Sequence, residues 1–199
     1  MTYSALIIRN ISVMADEELK SIINLLDLKK AQPVGHLAIK HFFGFVLDDD
    51  IEGVREAVKN TAVRDYLYDR MRTLHKAHVI LHFNENTDGA LAADGGSPEK
   101  EYILNKIDGF EEGLQVKVLY VGGGHGGYIG VAGTKVLSGL EERSMDEIAQ
   151  RLSSKGLKIH SAILHACYSA LFTAFFRPFL LDEYSPLLSY SSEMGASSH

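Results

Sequence analysis

Cysteine is almost missing from this 199-residue chain, where Cys167 stands alone. No disulfide can close within the chain and no cysteine cage for zinc can form, which excludes the disulfide-dense secreted class. An excess of positive charge is missing as well. Twenty Lys and Arg against 26 Asp and Glu leave a formal net charge of −6, which argues against broad binding to a phosphate backbone, and nucleic acid is not an expected partner. There is no long apolar run. The nearest, Ala170 to Leu181, is interrupted by Arg177 and Pro178 and falls short of the roughly 20 apolar residues that cross a bilayer. Met1-Thr2-Tyr3-Ser4 lacks the basic start of a secretory signal, and Ala5-Leu6-Ile7-Ile8 is too short for its apolar core. These absences predict a soluble protein, cytoplasmic by default, although a signal-independent secretion route would leave the same pattern.

What is present suits one α/β domain over residues 1–188, followed by a loosely ordered Ser-rich tail at 189–199. Ser4 to Asn10 reads as a buried strand, Asp16 to Leu28 as a helix and His36 to Leu47 as a strand ended by Asp48-Asp49-Asp50. A long helix is expected from about Ile51 to His75, with Val54, Ala57, Val58, Ala62, Tyr66 and Met71 along its apolar stripe. His78 to Phe83 is the next strand, and Ser97-Pro98-Glu99 opens a short helix. Leu114 to Val121 is an apolar strand that stops at Gly122-Gly123-Gly124-His125-Gly126-Gly127. Ser144-Met145-Asp146-Glu147 has the pattern of a capping box, and Lys155-Gly156 that of a helix end. Lys158 to Ala166 then forms a strand ending at Cys167. Strand, helix, strand is a crossover unit, which gives parallel neighbours and puts both strand ends on one edge of the sheet. His125 and Cys167 would stand side by side there.

A lone thiol is either a buried packing residue or a nucleophile. A cysteine nucleophile needs a thiolate, a histidine to protonate the leaving group and amide donors for the oxyanion. Cys167 precedes an apolar segment read as a helix from Tyr168 to Phe176, whose N-terminus would favour the thiolate. Gly126, beside His125, lets the backbone come close to a substrate. A hydrophobic strand ending in His125-Gly126, then a helix, then a strand Ile163-Leu164-His165 ending in Ala166-Cys167, resembles the caspase-like cysteine peptidases of clan CD. The resemblance covers about residues 75 to 180 and leaves a small α/β extension before it. It implies a three-layer α/β sandwich around a mainly parallel sheet, and hydrolysis of peptide bonds in protein substrates or in the chain itself. It further implies Cys167 as nucleophile, His125 as general acid and base, and the amides of Gly126 and Cys167 as the oxyanion hole. No cofactor or metal is called for.

Other readings compete. Gly122 to Gly127 formally matches GxGxxG, but Tyr128-Ile-Gly-Val-Ala-Gly133 continues as a loop or hairpin where a dinucleotide site needs a helix. An α/β-hydrolase elbow would require its histidine after the nucleophile, and only His199 qualifies. His165 shares a strand face with Cys167 and reads first as a core residue. His78 and His82 share a face with no carboxylate at metal-ligand spacing, so zinc there is a minor reading, as is calcium at Asp48-Asp49-Asp50. The apolar segment Ala170 to Leu181 reads as core, or where exposed as the face of a homodimer. The alternative to a peptidase is a non-catalytic caspase-like or generic α/β domain that binds a protein partner, with Cys167 structural.

Overall fold

In the computed structural model the described residues are 4–11, 52, 55–56, 58–75, 77–83, 98–122, 126–129, 134–137 and 140–191. The helix expected at 16–28, the strand at 36–47, the aspartate run at 48–50 and His125 lie outside them. The strands in chain order are β1 (Ser4–Asn10), β2 (His78–His82), β3 (Gln115–Gly122), β4 (Gly126–Ile129), β5 (Thr134–Leu137), β6 (Leu140–Glu141), β7 (Lys158–Ile159), β8 (Ala162–His165) and β9 (Leu187–Leu188). The main helices are α1 (Thr61–His75), α2 (Pro98–Asp108) and α3 (Glu142–Ser154).

The architecture is α/β. Six strands form one sheet in the order β2-β1-β3-β8-β9, with β7 also on β3, and every pairing in it is parallel. The apolar runs in β1, β2 and β3 suit a parallel sheet, and along β1 the face of Leu6 and Ile8 is buried while that of Ile7 and Arg9 is half-buried. From β1 the chain steps out to β2, then returns past β1 to β3 and continues to β8. The direction of travel therefore reverses between β1 and β3, the switch point at which open parallel sheets form ligand crevices along their carboxyl edge. The β2-to-β3 and β3-to-β8 crossovers step the same way, so right-handed connections put α2 and α3 on one face. Lys100 on α2 pairs with Glu147 on α3 at 2.9 Å, and Arg151 on α3 pairs with Asp108.

Register sorts the side chains. Ile7, Tyr120 and Ile163 lie in one row across β1, β3 and β8, and Arg9, Gly122 and His165 in the next, on the same face. Leu6, Ile8, Leu119, Val121, Ala162 and Leu164 point the other way and are buried. A separate antiparallel sheet, β4-β5-β6, follows β3. Its β4-β5 hairpin is the form taken by the glycine-broken stretch after His125.

Several local expectations shift. The strand after α3 is split, because His160 and Ser161 separate β7 from β8 while both pair with β3. At α1 the Asn60 side chain accepts from the Ala62 amide at 2.9 Å and caps a helix beginning at Thr61. Its buried positions are Val63, Arg64, Leu67 and Tyr68, whereas Ala62 and Tyr66 are half-buried. Helix α3 starts at Glu142, so Ser144 is a buried residue of its first turn and not the cap. Its end is as expected: Gly156 has φ +63° and its amide donates to Ser153 O at 2.9 Å.

The largest correction concerns the residues after Cys167. No continuous helix forms there. The chain makes a 3-10 turn at Ser169–Phe172, one α turn at Thr173–Phe176 and another 3-10 turn at Arg177–Phe179, then returns to the sheet as β9. Tyr168 enters this segment with φ 52° and Pro178 interrupts it, so no extended macrodipole builds up behind the thiol. Phe172 and Phe176 are fully buried in this chain's own core and offer no face to a second copy. Tyr190 also belongs to the fold, since its carbonyl accepts from the Ala170 amide at 3.0 Å. Among the described residues no helix is long and apolar enough to cross a membrane.

Candidate functional site

Cys167 is half-buried just past the carboxyl end of β8, beyond the fully buried Ala166. The next residue, Tyr168, is the only non-glycine described residue with positive φ. For a bulky side chain that left-handed conformation costs about 1–2 kcal/mol, and strain of this kind gathers at sites where geometry matters. Gly122 ends β3 and pairs in register with His165, two residues before Cys167. The crossover thus brings the β3 and β8 ends to one edge, as the sequence implies. Of the two residues expected to form a dyad, only Cys167 is described. Gly126, directly after His125 in sequence, is the first residue of β4. Strand β4 lies against the Ser169–Phe172 turn that directly follows the cysteine segment. Gly126 itself pairs with Leu137 across the hairpin.

Arg9, Tyr120, Gly122, His165 and Tyr190 complete the edge, and Arg9 and Tyr190 carry no motif. The Tyr120 hydroxyl and His165 Nδ1 share a hydrogen bond. The Arg9 guanidinium sits 5.7 Å from the centre of the Tyr120 ring, in cation–π range, and the Tyr190 ring lies 5.7 Å from that of His165. Gly122 makes this possible by having no side chain. A Cβ there would overlap the Tyr120 ring, coming within 2.8 Å of its Cζ and hydroxyl oxygen. The shared strand face of Tyr120 and Gly122, and of His165 and Cys167, is visible in period-2 spacing. Arg9 joins them only through strand order. Tyr190 joins through a return of the chain that leaves no local signal.

The other strand-end histidine differs. His82 ends β2 opposite Asn10 and is fully buried, with neither ring nitrogen hydrogen-bonded. Burial, helped by the nearby Arg64 charge, pushes its pKa down to about 3, so it is neutral at ordinary pH. Beside it, Arg64 donates through Nη1 to both oxygens of Glu99 at 2.8 and 3.0 Å, and Glu99 Oε2 accepts from the Phe83 amide at 2.8 Å. His78, on the same face as His82, is also shifted down by burial. Among the described residues no group of three His, Cys, Asp or Glu could hold a metal ion.

Searches against protein-family models, curated proteins and solved structures find no match to this chain.

Proposed function

We propose that this protein is a caspase-like cysteine endopeptidase that cleaves specific protein substrates or itself. The single observation that carries the reading is the backbone juxtaposition of β4 with the 3-10 turn, because these segments adjoin His125 and Cys167 respectively. The parallel β3-β8 pair, which ends at the same edge and beside the switch point, supports it further. In the proposed reaction the Cys167 thiolate attacks the scissile carbonyl carbon, forming a C–S bond. Charge gathers on the carbonyl oxygen, which the amides of Gly126 and Cys167 stabilise. His125 gives a proton to the departing amine as the C–N bond breaks, then takes one from the water that hydrolyses the thioester. A caspase-like three-layer sandwich is the corresponding proposal for the whole domain, and the substrate is a protein or peptide.

The test uses the full chain incubated with a diverse peptide pool and followed by mass spectrometry for cleavage of the pool and of the chain. Cys167→Ala and His125→Ala should each remove cleavage, lowering it at least 1000-fold, with circular dichroism spectra unchanged. Iodoacetamide should modify Cys167 in the folded protein at pH 7. A thiol that reacts only after unfolding, or cleavage that survives Cys167→Ala, overturns the proposal. The second reading, a non-catalytic protein-binding domain, is favoured by the exposure of Leu181, Tyr184 and Leu188 at 50, 86 and 53% around β9. It predicts protein binding that is indifferent to Cys167→Ala.

A further inference from the structure

We infer that Ser169 and Tyr190 are positioning residues, a clasp that holds the Cys167 turn in the conformation the reaction requires. The inference rests on the peptidase reading for its catalytic consequence, though not for its geometry.

The turn is strained at one point and tied at both ends. Tyr168, immediately after the thiol, has φ 52° and ψ 21°, a conformation that persists for a bulky residue only where its surroundings over-determine it. Local bonds give part of that support: the Ser169 amide donates to Ala166 O at 3.3 Å and the Leu171 amide to Tyr168 O at 3.2 Å. Both are long, and neither reaches outside the turn.

The stronger ties come from Ser169 and from the end of the described chain. The Ser169 side chain is fully buried. Its hydroxyl donates to Leu164 O at 2.6 Å, closing a loop around Cys167, and accepts from the Tyr190 amide at 3.1 Å. The Tyr190 carbonyl accepts in turn from the Ala170 amide at 3.0 Å. One residue of the returning chain therefore bonds both Ser169 and its neighbour. The Tyr190 ring also lies against His165, whose other constraint is the Tyr120 hydroxyl. The entry to the turn through His165 and its exit through Ser169 are thus fixed by the same residue, and Cys167 lies between them.

A hydroxyl that donates and accepts at once in a fully buried site is a specific requirement. Alanine at 169 leaves two polar backbone groups without that partner, and a buried unsatisfied group is costly. The packing volume lost is only one oxygen, so the effect should be on the turn and not on the core. Displacing a reacting atom by about 1 Å can cost on the order of 100-fold in rate.

The experiment measures peptide cleavage and amide hydrogen exchange on the full chain for Ser169→Ala, Tyr190→Ala and Tyr190→Phe. Ser169→Ala should lower kcat at least tenfold with KM within twofold of the parent, and should speed exchange across residues 167–171 while β1 and β3 keep their protection; Tyr190→Ala, which keeps both backbone bonds and removes only the ring against His165, should move both readouts the same way by less. Tyr190→Phe keeps the ring and both backbone bonds and should match the parent. Cleavage and exchange at parent values in a folded Ser169→Ala protein overturn the clasp. So does a loss of protection spread evenly over the sheet in both Ser169→Ala and Tyr190→Ala, because that is the mark of a purely structural role. If the parent cleaves nothing, the peptidase reading fails alone: faster exchange confined to residues 167–171 still supports the clasp, and unchanged exchange there overturns it.

Discussion

His82 and His165 end two strands of the same parallel sheet, at the same edge, and share almost nothing else. His82 lies on the face shared with Leu6, Ile8 and Leu119, is sealed from water and has no hydrogen bond to either ring nitrogen. His165 lies on the opposite face, half-buried, bonded to Tyr120 and backed by Tyr190. The difference follows from strand parity, not from any property of histidine. The sheet therefore has a dry end at β2, where polar groups are paired or neutral, and a polar, partly open end at β3 and β8, where the thiol sits. Chemistry that needs water and a substrate belongs to the second.

The largest expected effect falls at the dry end. Glu99→Ala would leave the Arg64 guanidinium buried without its carboxylate and the Phe83 amide without its acceptor. Removing one partner of a buried pair costs about 3–5 kcal/mol, to be read as a lower urea midpoint at pH 7. A loss below 1 kcal/mol would mean that this end is wetter than its burial implies.

Acid probes the dry end directly. The pKa of His82 is about 3 in the fold against 6.5 ordinarily, so the unfolded chain takes the proton first. Its contribution is full above pH 6.5 and is lost as pH falls toward 3, at about 1.4 kcal/mol per pH unit, or roughly 2 kcal/mol between pH 6.5 and 5. His82→Leu should flatten that part of the stability curve. Equal slopes for parent and His82→Leu would break the contrast.

A smaller effect is expected at the polar end. Gly122→Ala should force the Tyr120 ring off its place and break its bond to His165, costing about 1–3 kcal/mol as overpacking. The same change made in a Tyr120→Ala background should cost less than half as much by denaturant titration. An unchanged cost would show that the glycine serves the backbone and not the ring.

Much of the parallel sheet was legible. β1 matches its expected range, and β2 and β3 lie within a residue of theirs, because buried parallel strands are apolar throughout and end at glycine or polar residues. The ends of α3 were legible unequally. Gly156 marks its C-terminus because only glycine adopts φ +63° without strain, whereas Ser144 misled because a serine in the first turn has the same spacing to a glutamate as a true cap. The segment after Cys167 misled more. Its apolar residues fit a helix stripe, but Tyr168 and Pro178 break the backbone, and tertiary burial of Phe172 and Phe176 holds short turns in place of one helix.

By itself the sequence determined that a single thiol would sit at a strand end in an α/β chain, because apolar periodicity, glycine and a lone cysteine are local facts. It determined too that a crossover would bring that end beside the strand leading to His125, since short right-handed connections leave few alternatives. Only the tertiary structure decided which face each strand-end histidine occupies, that Gly122 makes room for Tyr120, and that Tyr190 closes on Ser169. Those outcomes depend on register between residues as far apart in the chain as Leu6 and Leu119, and on contacts such as that of Tyr120 with His165. No local pattern carries that information.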